Sequence, residues 1–183
     1  MLNKENITQQ AISNKEIIQS ANDTNIITNI YNLSYDNFYF YEQDIKDVII
    51  FFNKNINNIT QTDFPLINPV KLTEKNILNK MSLETFNSIK NKDLSYFGKI
   101  RSFLKNPKNE EYVTMYNNTT TDLQEIVKAH IGSIDTFDKI FLSLYQYIIS
   151  KSTDDKDFMK IRTKILLFLH FMYYNCDIGL NPN

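Results

Sequence analysis

The chain has 183 residues, 20 basic and 21 acidic side chains, a formal charge of −1, 42% hydrophobic residues and 13% aromatics. That is one domain, or at most two small ones, with enough apolar content to bury a core, which excludes a chain disordered by composition, and the near-neutral balance argues against a dedicated nucleic-acid binder. The single cysteine, Cys176, excludes a disulfide scaffold and points to a reducing compartment; three glycines (Gly98, Gly132, Gly179) exclude a P-loop, a dinucleotide fingerprint and a nucleophile elbow.

The first 35 residues are polar and only weakly periodic. Ser13 with Glu16 three positions on is a capping-box signature for a short helix through Ile17 and Ile18. Residues 1–35 are therefore read as a mobile or weakly helical segment, and residues 36–183 as one all-helical domain. The start, Met1-Leu2-Asn3-Lys4-Glu5, lacks a charged region followed by an apolar block, so no signal peptide is expected.

From Phe38 the pattern sharpens. Phe40-Tyr41, Ile45, Val48-Ile49 and Phe52 fall at helical spacing and predict an amphipathic helix that stops in the Asn-rich stretch 53–58. The stretch from Phe64-Pro65 to Asn68-Pro69 predicts an extended connection. Thr73 is placed to cap a helix carrying Ile77, Leu78 and Met81, and Ser82 to restart or continue it through Leu83, Phe86 and Ile89. Asp93 is placed to cap the stripe Leu94, Phe97, Ile100, Phe103 and Leu104, which Asn106-Pro107 ends. Glu110–Tyr116 is ambiguous, 117–121 reads as a polar loop, and Thr121-Asp122-Leu123-Gln124 as a capping box opening a helix through Ile126, Val127 and His130.

After a break at Gly132-Ser133, Asp135 is expected to cap a strong stripe of Phe137, Ile140, Phe141, Leu144, Tyr145 and Ile148. Thr153-Asp154-Asp155 then opens what reads as the longest helix, running to about Tyr173, with Gly179 and Pro182 as its stop signal. The ten-residue apolar block Ile165–Tyr174 is half the length needed to cross a bilayer, so it reads as a buried helix. No stretch shows strand alternation with hairpin dipeptides. The expected fold is all-α: one helical bundle of six to eight helices, its last two forming the core hairpin, with a hook-like or two-sub-bundle arrangement left open.

The chemically capable groups are few. His170 and Cys176 are six positions apart on one helix, about 240° around it, and face different ways. A nucleophilic pair of Cys176 with His130 lacks a glycine-rich turn for an oxyanion. Asp135, Asp154 and Asp155 stand where caps and first turns belong. No catalytic, cofactor-binding or metal-ligating residue is therefore expected, and the protein is expected not to be an enzyme. The aromatic cluster near Tyr31–Tyr41 is fringed by Asp36, Glu42 and Asp44, whose charge repels phosphate, so a protein partner suits it better than nucleobases. Tyr31, Tyr35, Tyr39, Tyr41, Glu42 and Asp44 are the candidate partner surface.

The segment Phe171-Met172-Tyr173-Tyr174-Asn175-Cys176-Asp177-Ile178-Gly179-Leu180 resembles the ending of the cytoplasmic domains of type VI secretion proteins called TssL or DotU, with Tyr173, Gly179 and Leu180 in matching places. His130 followed by Ile140-Phe141 is similar to an upstream feature of that family. The resemblance covers the C-terminal third. It implies a non-catalytic helical docking domain at the cytoplasmic face of the inner membrane, or in the cytoplasm, anchored only through a segment beyond residue 183. Its partners would be baseplate or membrane-complex proteins, with a homodimer as a further option. The alternative reading is a structural or host-interaction helical protein of an A/T-rich virus or phage, a connector or a Bcl-2-like bundle.

Overall fold

Apolar stripes decide most of the helices. The computed structural model describes residues 41–60, 69–130 and 136–182; the expectations for residues 1–40, for the connection 61–68 and for Asp135 lie outside them. Among the described residues there are eight α-helices and no strand, so the domain is all-α.

Helix α1 (Glu42–Asn55) buries Ile45, Val48, Ile49 and Phe52 of the predicted stripe, whereas Tyr41 precedes the helix and is exposed. Helix α2 (Pro69–Leu78) starts four residues before the expected cap Thr73, on a proline that has no N–H to leave unpaired. The face that points inward is the one whose polar groups bond the chain around Tyr173–Leu180. Leu72, Lys75 and Asn79 are buried, while Ile77 and Leu78, expected in the core, are exposed.

Ser82 caps α3 (Leu83–Lys92), its hydroxyl accepting from Thr85 N–H at 3.1 Å. Helix α4 (Leu94–Lys105) buries Phe97, Ile100 and Phe103 as expected and ends at Asn106, followed by a single 3-10 turn, Pro107–Asn109. Asp93 precedes α4 but makes no side-chain cap bond; its carboxylate is engaged elsewhere.

Helix α5 (Glu110–His130) runs unbroken for 21 residues through the stretch expected to be a loop. The hydroxyls of Thr119, Thr120 and Thr121 each return a hydrogen bond to a carbonyl three or four residues back, at 2.9 Å, so the polar run satisfies itself inside the helix. Thr121-Asp122-Leu123-Gln124 is thus mid-helix rather than a cap. Helices α1 and α5 run antiparallel: Phe51 stacks on Tyr112 at 4.0 Å, and Asp44 faces Asp122 toward the other end.

Helix α6 (Phe137–Ser150) buries Phe137, Ile140, Phe141, Leu144 and Ile148. The predicted longest helix is instead two pieces, α7 (Lys156–Lys160) and α8 (Thr163–Tyr174). Asp155 caps α7, accepting from Phe158 N–H at 2.9 Å, and the join at Ile161 and Arg162 is bridged by i→i−3 bonds. Lys46 of α1 holds this end, 3.5 Å from Asp155 and above the Phe158 ring.

Eight of the twelve residues of α8 are buried, which makes it the central helix. Phe168 meets Phe52 edge-on at 5.3 Å, Phe171 meets Phe97 at 5.5 Å, and Tyr173 lies 4.7 Å from Phe137. At roughly 1.5–3 kcal/mol per buried large apolar side chain, this aromatic network contributes to stability alongside the buried aliphatic residues.

Candidate interaction surface

Helix α8 stops five residues before Gly179. Asp177 N–H bonds Met172 O at 2.9 Å and Cys176 N–H bonds Tyr173 O at 3.2 Å, a Schellman turn with Cys176 in the left-handed region at φ 65°. Helix α2 ends the same way, with Met81 N–H on Asn76 O, Lys80 N–H on Ile77 O, and Lys80 at φ 51°.

The two helix ends interlock. Lys75 of α2 is buried to 1% exposure and donates to the carbonyls of Tyr173 (2.7 Å) and Ile178 (2.9 Å), closing the negative end of α8. Burial lowers its ammonium from 10.5 to about 8, against the pull of Cys176 and Asp177. Asn79 grips Leu180 by both main-chain groups, donating to its carbonyl and accepting from its N–H, each at 2.8 Å. Gln124 grips Gly179 in the same two-sided way, at 3.2 and 2.7 Å. Tyr116 OH donates to Asp177, whose carboxyl burial pushes above its usual range. Gly179 is required here: at φ +90°, a Cβ would sit 3.1 Å from Asn79 Oδ1 and 3.2 Å from the Tyr173 ring.

The remaining reactive groups are also committed. His170 Nδ1 lies 2.6 Å from Asp93 Oδ2, and Phe141 packs 4.8 Å from the imidazole. His130 Nδ1 meets the Ile126 carbonyl at 2.8 Å, whereas Cys176 neighbours Lys75, so the two do not form a pair. Tyr174 OH is buried without a partner, and burial with the nearby Asp93 charge drives its ionisation upward. Among the described residues no group of three His, Cys, Asp or Glu side chains could hold a metal.

Of the candidate partner surface, Tyr31, Tyr35 and Tyr39 lie outside the described residues. Tyr41 is 64% exposed just before α1, and Glu42 opens that helix. Asp44 faces Asp122 of α5, whose carboxyl is raised by partial burial and then by the Asp44 charge. Asp47, which accepts from Gln43 Nε2 at 2.7 Å, and Glu111 both act on Tyr112, so the acidic seam continues along α1 and α5. Reading 117–121 as a loop hid this seam from the sequence.

A second surface was missed because its residues were assigned to the core. Ile77 and Leu83 are each 72% exposed and Leu78 is 47% exposed, at the corner between α2 and α3. Beside them runs a groove of about 270 Å³ lined by Thr73, Asn76, Ile77, Lys80, Met81, Leu83 and Phe86. Phe86 forms part of the lining and stacks parallel on the buried Tyr174 at 6.0 Å, which ties the corner to the core.

This helical set, from α1 to the Gly179 clasp, coincides with a known unit. The chain belongs to the family described as C-terminal domain 12 of the ABC-three component (ABC-3C) systems, whose model matches residues 35–179. Membership implies interaction with other proteins of a multi-component system. It also corrects the resemblance to TssL and DotU: the ending Phe171–Leu180 is the capped and clasped terminus of α8, in which Tyr173 is a core residue and Gly179 a steric necessity. No curated protein and no solved structure matches the chain. No helix among the described residues is long and apolar enough to cross a membrane.

Proposed function

We propose that the domain is a non-catalytic docking module of an ABC-three component system, which holds other components of that system through exposed faces of its helical bundle. The observation that carries this reading is the corner of α2 and α3, where Ile77 and Leu83 stand 72% exposed on a rigid base. Leaving two large aliphatic side chains in water has no benefit for the isolated fold, and clustered exposed apolar residues mark interaction sites. The acidic seam of Asp44, Asp47 and Asp122 offers a second face, suited to steering a basic partner.

Absence of catalysis is part of the same proposal. Of the groups best able to do chemistry, His170, Lys75 and Cys176 are engaged in tying one helix or turn to another, and His130 bonds back to the Ile126 carbonyl within α5. A reducing, cytoplasmic setting accords with the unpaired Cys176. The test is co-expression of the full chain with the other components of its system. Co-purification of a component at fixed stoichiometry supports the reading, and a chain that stays alone when all components are folded and present refutes it.

A further inference from the structure

We infer that the groove between α2 and α3 receives one amphipathic helix of a partner protein, which seats apolar side chains between Ile77 and Leu83 and sets a carboxylate against Lys80. This rests on the docking reading above and specifies its site. At about 270 Å³ the groove falls below the roughly 300–1,000 Å³ of small-molecule sites, and fits a pair of aliphatic side chains better than a cofactor.

The floor decides the form of the occupant. Of the lining residues only Thr73, Asn76 and Lys80 carry polar side chains, Asn76 Oδ1 already accepts from Tyr173 OH, and among the described residues there is no sheet edge to pair with an extended segment. A strand laid here would find no ladder partner for most of its N–H and C=O groups; a helix keeps them bonded internally and presents side chains one turn apart. Met81 adds adaptability, since its unbranched thioether repacks against differing anchors.

The charge decides what the helix carries. Lys80 is the one charged residue lining the groove, and its ammonium has no ion pair among the described residues. The carboxylate packed on this corner, Asp138, is occupied by Ser82, accepting from its N–H and its hydroxyl at 3.0 Å each. Lys80 also sits at φ 51°, where glycine would be unstrained, so the Schellman turn fixes its Cα–Cβ direction beside the groove. An apolar slot ending in an unpaired cation is complementary to apolar anchors followed by Asp or Glu.

The experiment titrates the full chain, with methyl groups of Ile77, Met81 and Leu83 observed by NMR. The ligand is an alanine-based helical peptide carrying leucines at i and i+4 and flanking glutamates. A lysine-flanked version and a proline-broken version serve as controls. The expected result is shifts at these three residues, affinity about fivefold higher for the glutamate helix than for the lysine one, and reversal of that preference in Lys80→Glu. Equal affinity for both charges, equal binding of the broken peptide, or no shift at these methyls would overturn the inference. So would a Leu83-dependent doubling of mass on sedimentation, which would make the corner a contact between copies of this chain. A partner component that still binds Lys80→Glu and Leu83→Lys unchanged leaves the docking reading standing and removes the groove as its site.

Discussion

Lys75 and Tyr173 stand 98 positions apart in the chain, yet the lysine ammonium donates to the tyrosine carbonyl at 2.7 Å and lies 4.4 Å from the centre of its ring. One buried side chain from α2 thereby closes the C-terminal end of the central helix and also anchors Ile178 of the segment that follows. The interlocked ends of α2 and α8 form the base on which the Ile77–Leu83 corner is held.

Removing that cation while keeping its length isolates the tie. In Lys75→Met the carbonyls of Tyr173 and Ile178 lose their ammonium donor, and stability should fall by about 2 kcal/mol by chemical denaturation. An unchanged midpoint would mean that water replaces the ammonium without cost.

The same lysine gives a pH signature. Its folded value of about 8 lies below the free value of 10.5, so the native state releases the proton first and the penalty on the charged form disappears as pH rises. Stability should increase by about 2 kcal/mol from pH 8 to pH 10 relative to Lys75→Met. Above that the raised ionisations of Tyr116, Tyr173 and Tyr174 act oppositely: stability is full below the free tyrosine value and is lost as pH rises beyond it. Parallel curves for wild type and Lys75→Met would contradict the lysine assignment.

Two positive-φ positions should respond in opposite directions. Gly179→Ala forces a Cβ onto Asn79, Tyr173 and Phe137 and should cost about 2 kcal/mol. Lys80→Gly relieves a strained residue on the surface and should leave stability unchanged or raise it by up to about 1 kcal/mol, while weakening partner binding. Thermal melts paired with a binding assay separate the two effects; a destabilised Lys80→Gly would show that its side chain supports the fold.

Asp93 reads in the sequence as a helix cap, but its carboxylate meets His170. A double-mutant cycle of Asp93→Ala and His170→Gln should return a coupling of about 1–2 kcal/mol. Simple additivity would mean that the carboxylate contributes only through the helix terminus.

Where apolar spacing alone determines burial, the fold was legible: Ile45, Val48, Ile49 and Phe52, or Phe137, Ile140, Phe141, Leu144 and Ile148, sit as their periodicity predicts. It was not legible where polar groups find distant partners. Lys75 and Asn79 are drawn inward by carbonyls about a hundred positions away, which turns Ile77 and Leu78 outward. Thr119–Thr121 look like a loop until their hydroxyls are seen to bond back within α5, and nothing in the local pattern marks the break at Ile161. The candidate surface fared accordingly. The acidic residues near Asp44 were visible, whereas the exposed corner was hidden because Ile77 and Leu83 look like core residues.

Docking of other components of a three-component system through the α2–α3 corner, as proposed above, is open to one decisive comparison. The most direct measurement is size-exclusion chromatography with light scattering on the co-expressed components, comparing wild type with an Ile77→Lys/Leu83→Lys double variant of verified helicity. A complex of defined mass is expected for wild type and lost in the variant, with the variant's own melting point unchanged. An undiminished complex in the variant, or no complex with wild type, would contradict it.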